Sequence, residues 1–178
     1  EAKVQAMPTD DKHKLFLLTQ GIKFTTCSLF QQDFFLIDVD GNLWWFNSAE
    51  NETFDEIVFK QIEAPTKFVD VAVGHTFFVA VDNQGNLWGY GFNDLSALGR
   101  SRVRGKTGKR RTTIGPMVDP FQLILEGDFT KVACGKNHTL CLDSDGDVWG
   151  AGNNEKGQLG HDTQHYSIEQ FVRISQNV

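Results

Sequence analysis

The stretch Val132-Ala-Cys-Gly135-Lys-Asn-His138-Thr-Leu-Cys-Leu-Asp143-Ser-Asp-Gly146-Asp-Val-Trp149-Gly-Ala-Gly152-Asn-Asn154 decides the fold, because the chain carries it twice. The segment Val71-Ala-Val-Gly74-His-Thr-Phe-Phe-Val-Ala-Val-Asp82-Asn-Gln-Gly85-Asn-Leu-Trp88-Gly-Tyr-Gly91-Phe-Asn93 lies on it without a gap, 61 residues earlier. Gly74 falls on Gly135, Asp82 on Asp143, Gly85 on Gly146, Trp88 on Trp149 and Gly91 on Gly152. The tails agree as well, Ser96-Ala-Leu-Gly99 with Gly157-Gln-Leu-Gly160. A fixed repeat of this length marks a protein whose units bury their faces against copies of themselves.

A weaker copy precedes both. Phe34-Phe-Leu-Ile-Asp38-Val-Asp-Gly41-Asn-Leu-Trp44 keeps the Asp, Gly and Trp in register, 44 residues before Trp88. It has Phe30 where the others have Gly74 and Gly135, and Trp45-Phe46-Asn47 where they have a glycine-rich tail. The longer second interval coincides with the stretch after Arg100, which reads as an insertion between repeats.

Each unit predicts a β-hairpin. Phe77, Val79 and Val81 alternate with Phe78, Ala80 and Asp82, the period of a strand. Gly41, Gly85 and Gly146 supply the positive φ of a tight turn, and a second strand carries the Trp. Glycines beside each Trp allow close backbone approach, while the indole fills space between layers. No long amphipathic helix is evident, and Asn93–Gly99 and Asn153–Gly160 read as irregular loops. The expected class is all-β.

These residues resemble the regulator of chromosome condensation repeat family. The third copy carries nearly its whole pattern in Val132, Gly135, His138, Thr139, Leu142, Asp145, Gly146, Trp149, Gly150, Gly152, Asn153 and Gly157-Gln-Leu-Gly160. The second copy has Phe77 in the His place, and the first is recognisable by its hairpin alone. The resemblance implies seven-bladed β-propellers made of four-stranded antiparallel blades. At about 50 residues per blade, 178 residues supply an incomplete propeller of three to four blades. Repeats are expected at about 22–60, 67–110 and 128–160, with 161–178 opening a further blade and 100–115 forming the basic inter-repeat loop. The ring would be completed by the remainder of a longer propeller, by a second copy, or by another chain. The lack of an initiator Met and the abrupt end favour the first.

The charge is uneven. Seven of the 17 bases, Arg100, Arg102, Arg104, Lys106, Lys109, Arg110 and Arg111, stand together without an acid, leaving ten bases against all 23 acids. Such a stretch is a solvated loop or a contact for phosphates, an acidic protein surface or an anionic membrane. It holds no aromatic residue, which argues against base stacking. Thr107, Thr112 and Thr113 lie among the bases, where phosphorylation would subtract charge.

Enzyme signatures fail on spacing. Gly105-Lys-Thr has Arg100 where a phosphate-binding loop needs its first glycine. The acidic turns at Asp38 and Asp143 have glycine in the fourth place, not the sixth of an EF-hand, and the second copy has Gln84 where they have Asp40 and Asp145. His161 and His165 lack a third ligand nearby, and His138 reads as a structural histidine bonding backbone. Cys27, Cys134 and Cys141 suit neither a disulfide framework nor a zinc site and point to a reducing compartment, cytoplasmic or nuclear. No apolar run reaches membrane-spanning length. No catalytic residue, metal or cofactor is expected. The leading expectation is a non-enzymatic protein-interaction scaffold. The rivals are guanine-nucleotide exchange on a Ran-like small GTPase, which the resemblance implies, and chromatin or nucleic-acid attachment through the basic stretch.

Overall fold

A computed structural model of the chain describes residues 22–47, 59–93, 95–99, 121–160 and 166–175. Twelve strands fall into three four-stranded antiparallel sheets, and no helix occurs among the described residues. The first sheet orders β1 (Phe24–Phe30), β2 (Asp33–Asp38), β3 (Leu43–Asn47) and β4 (Lys60–Gln61). The second orders β5 (Phe68–Val73), β6 (Phe77–Asp82), β7 (Leu87–Gly91) and β8 (Gln122–Leu125). The third orders β9 (Phe129–Cys134), β10 (His138–Asp143), β11 (Val148–Asn153) and β12 (Ser167–Ser175). Trp44, Trp88 and Trp149 occupy the third strand of successive sheets.

The strand alternation becomes two buried faces. Phe77, Val79 and Val81 join Phe129, Val132 and Cys141 in one cluster between the second and third sheets. Phe78 and Ala80 join Phe35, Ile37 and Leu43 in another, between the first and second. Strand β6 is therefore buried at every position.

The sheets are also stitched by hydrogen bonds. Phe68 N–H donates to the Gly41 carbonyl at 2.8 Å, and Phe129 N–H to the Gly85 carbonyl at 2.9 Å, so each hairpin turn catches the next sheet's first strand. Val132 N–H reaches the Asp70 carboxylate at 2.9 Å, and the buried Thr139 hydroxyl donates to the Ala97 carbonyl at 2.7 Å.

Two expected boundaries are corrected. Within 161–178, expected to open a further blade, the described strand Ser167–Ser175 lies in the third sheet instead. Strand β12 pairs with β11, with Trp149 opposite Arg173 and Gly150 opposite Val172, and completes the third sheet. In sequence the basic stretch comes between β7 and β8, two strands of the second sheet, and not between repeats. A Trp-to-Trp interval measures how much sequence was added but not which connection received it.

The first sheet solves its packing differently. Gly89 and Gly150 leave room for the side chains of Leu98 and Leu159 from the tail loops, at 3.0 and 3.1 Å from where a Cβ would sit. The register puts Trp45 in the matching place, and its ring joins the core between the first two sheets. One large side chain there stands in for the glycine and the leucine of the other copies.

Candidate functional site

The acidic residue of each hairpin gathers its turn. Asp82 accepts from the backbone N–H of Gln84 at 2.8 Å and Asn86 at 2.9 Å, from the Asn86 amide at 3.1 Å and from Trp88 Nε1 at 2.9 Å. Asp38 makes the same four bonds to Asp40, Asn42 and Trp44. Asp143 accepts from the backbone N–H of Asp145 and Asp147 and from Trp149 Nε1 at 2.8 Å. For Asp38 and Asp82, burial pushes the pKa upward, but these bonds outweigh it and hold the carboxylates below their usual range. In Asp143 the Trp149 bond leads, and the shift is again downward. Carboxylates saturated by turn donors have a structural task.

The other predicted repeat residues are placed as follows. Gly74 lies under the ring of Phe77, and Gly135 under the imidazole of His138. Burial holds His138 below its usual pKa, and what the structure gives it is this packing contact. Gly85 and Gly146 have φ of 87° and 85°, as the hairpin requires. At Gly152, a Cβ would come within 2.5 Å of the Asn137 carbonyl oxygen, so backbone approach dictates glycine. Cys134 is pushed up to about 12 by burial, and Cys141 is raised for the same reason with the charges of Cys134 and Asp70 adding to it. Neither thiol is poised to react.

Sequence reasoning missed the buried asparagines. Asn93 Oδ1 accepts from Leu98 N–H at 2.8 Å, and Asn154 Oδ1 from Leu159 N–H at 3.1 Å, closing each tail loop. Their identical offset from Trp88 and Trp149 was the available signal.

What remains exposed is a rim of loops. The turns between first and second strands present Gln31 and Gln32, His75 and Thr76, and Lys136 to solvent. They touch one another: His75 lies edge-on to Phe30 at 5.7 Å, and His75 N–H donates to the Lys136 carbonyl at 3.1 Å. Phe92 N–H bonds the Thr76 carbonyl at 2.8 Å, so the chain leaving β7 sets out from this rim. It returns at Phe121, whose ring stacks on Phe78 at 5.2 Å and lies 5.7 Å from Trp88. Arg100, Arg102, Arg104, Lys106, Lys109, Arg110 and Arg111 lie between these anchors, outside the described residues, as do His161 and His165. Among the described residues no group of His, Cys, Asp or Glu is arranged to hold a metal ion, and no helix is long and apolar enough to cross a membrane.

Comparison with known proteins gives the same reading. Models of the regulator of chromosome condensation (RCC1) repeat match residues 84–142 and 129–158. The chain is 28% identical over 148 residues to the protein RCC2 homolog of Xenopus laevis, covering 78% of this chain and 27% of that protein. It is 33% identical over 107 residues to the mouse regulator of chromosome condensation, covering 59% of this chain and 23% of that one. The chain thus spans about a quarter of the length of these relatives. Among solved structures, Prp20p from Saccharomyces cerevisiae superposes with a TM-score of 0.63 at 18% identity, covering 86% of this chain and 38% of that one. That structure was described together with the protein's binding to Gsp1p and histones. With three sheets in one register, an Asp–Trp bond in each hairpin and repeat matches across the second and third sheets, this chain carries regulator of chromosome condensation repeats, folded as three β-propeller blades.

Proposed function

We propose that the chain is a non-enzymatic protein-interaction scaffold that meets its partners through the rim carrying His75, Thr76 and Lys136 and through the basic stretch Arg100 to Arg111. The observation behind this is a division of labour. The hairpin Asp residues hold indoles, Asp70 and Thr139 bond across sheets, Asn93 and Asn154 close loops, and the cysteines are buried or lone. Among the described residues these side chains are occupied by the frame, while the turn residues His75, Thr76 and Lys136 are exposed. Fold alone does not fix function in repeat proteins, so the rim carries the reading. A cytoplasmic or nuclear setting suits the free thiols.

The test replaces the seven bases with Glu and compares partner recovery with the parent chain. Loss of partners supports the contact, and unchanged recovery removes the basic stretch from it. A second reading, nucleotide exchange on a small GTPase, draws on the Gsp1p binding described for Prp20p. A nucleotide-release assay on Ran-type GTPases separates the two, since acceleration above background overturns the plain scaffold. The basic stretch also fits nucleic-acid phosphates. In that event binding falls steeply with salt, with a logarithmic slope of up to about −6 for seven contacts.

A further inference from the structure

The outer strand of the third sheet reads Ser167-Ile-Glu169-Gln-Phe171-Val-Arg173-Ile-Ser175, nearly the same pattern in both directions. Laid antiparallel on a copy of itself about Phe171, it sets Glu169 opposite Arg173, Ile168 opposite Ile174 and Ser167 opposite Ser175. Phe171 then meets Phe171, and Gln170 meets Val172. Opposite charges and apolar pairs directly across two strands stabilise an antiparallel pairing, and like charges there oppose it. Moving the register by two residues sets Glu169 against Phe171 and Arg173 against Ser167, and both ion pairs are lost.

The strand is placed where it can be met. The first strands of neighbouring sheets lie against one another, β1 on β5 and β5 on β9, with Ser28 and Asp70 bonding across. The fourth strands therefore run along the outer margin, which a further sheet stacked on either face would leave uncovered. Among the described strands β12 pairs on one side only, with β11. The corresponding strands β4 and β8 have two and four residues, too short to serve as templates. Strand β12 has nine, an edge of about 30 Å. On it Glu169 and Arg173 are exposed. Asp147 holds Arg173 in an ion pair that leaves its side chain half-exposed, and a guanidinium fork has donors for a second carboxylate. The Phe171 ring lies against Gly99, which steadies the middle of the strand. Between Ile168 and Val172 three residues, Glu169 to Phe171, face the single Ala151 of β11.

We infer that two copies of this chain join by antiparallel pairing of their β12 edges, about a two-fold axis at Phe171. The two third sheets then form one continuous sheet of eight strands. An edge that matches itself closes at two copies. Main-chain bonds supply the affinity, and the Glu169–Arg173 pairs fix the register. The edge is separate from the turns of His75, Thr76 and Lys136 proposed above to meet other partners.

Sedimentation equilibrium of the 178-residue chain over a wide concentration series tests this with Glu169→Arg and Arg173→Glu. The parent reaches twice the chain mass, and either variant alone raises the dimer dissociation constant at least tenfold. An equimolar mixture of the two variants regains the dimer, because each like-charged edge then meets its opposite. Cross-linking reads the register directly and decides the matter should Arg173→Glu unfold. Under mild oxidation Phe171→Cys couples two copies across the axis, with the parent as control for Cys27. Glu169→Cys does not, since that position lies about 13 Å from its own counterpart. A parent that stays monomeric, a dimer that survives both charge variants, a mixture of folded variants that stays monomeric, or coupling at 169 as fast as at 171 overturns the inference. Partner recovery through the rim is scored in parallel, so failure of one reading is visible without failure of the other.

Discussion

The Nε1 of Trp88 donates to Oδ2 of Asp82 at 2.9 Å, tying the end of β6 to the strand that returns beside it. The same carboxylate satisfies the hairpin's backbone, so one side chain fixes both the turn and the indole that reaches into the core between sheets. Replacing Asp82 by Ala strips four donors at a site only 2% exposed. Loss of ~2–3 kcal/mol is expected in urea denaturation. Asp82→Asn, which keeps the acceptor oxygen, loses less.

Acid acts through the same groups. Asp38, Asp82 and Asp143 all have folded pKa values below the usual 3.8, so the folded state binds fewer protons than the unfolded one. Their stabilisation is complete above the unfolded value and is lost as pH falls through the folded values. Tryptophan emission followed during acid titration is expected to hold steady to about pH 4 and to shift red below it. Asp82→Asn flattens that limb.

Much of this was legible in the sequence, for a physical reason. Asp82, Gly85 and Trp88 act within one turn, so their spacing is a local signature that survives in all three copies. The outer strands carry no such mark. Strand β12 pairs with β11 across the tail loop, with Arg173 ion-paired to Asp147, and nothing in the sequence of Ser167–Ser175 distinguishes closing a sheet from opening one. The bond from Thr139 to Ala97 spans 42 residues and appears only once two sheets are stacked. Trp45 looks like a degraded repeat until register shows it in the place of Gly89.

Glycines that face backbone will not tolerate a side chain. Gly91 and Gly152 have φ of 112° and 110°, with Thr76 and Asn137 carbonyls where a Cβ would go. Alanine at either is expected to cost at least ~3 kcal/mol. Gly160, with φ 64° and nothing within 4 Å, is the contrast, where alanine costs ~1 kcal/mol. Thermal melts of the three variants rank them.

The junction between the second and third sheets can be probed at one atom. Thr139→Val keeps the volume of a 0%-exposed side chain but leaves the Ala97 carbonyl without its donor. A loss of ~1–2 kcal/mol in urea denaturation is expected, and Thr139→Ser restores most of it.

The central claim is that the repeats bury themselves by stacking, so that β6, between two neighbouring sheets, is buried at every position while β10 is not. Native-state hydrogen exchange tests it most directly, comparing amides of Val79 to Val81 with those of Leu140 to Leu142. The account predicts that the β6 amides exchange only through global unfolding while those of β10 open sooner. Equal protection in β6 and β10, or fast exchange in β6, would contradict it.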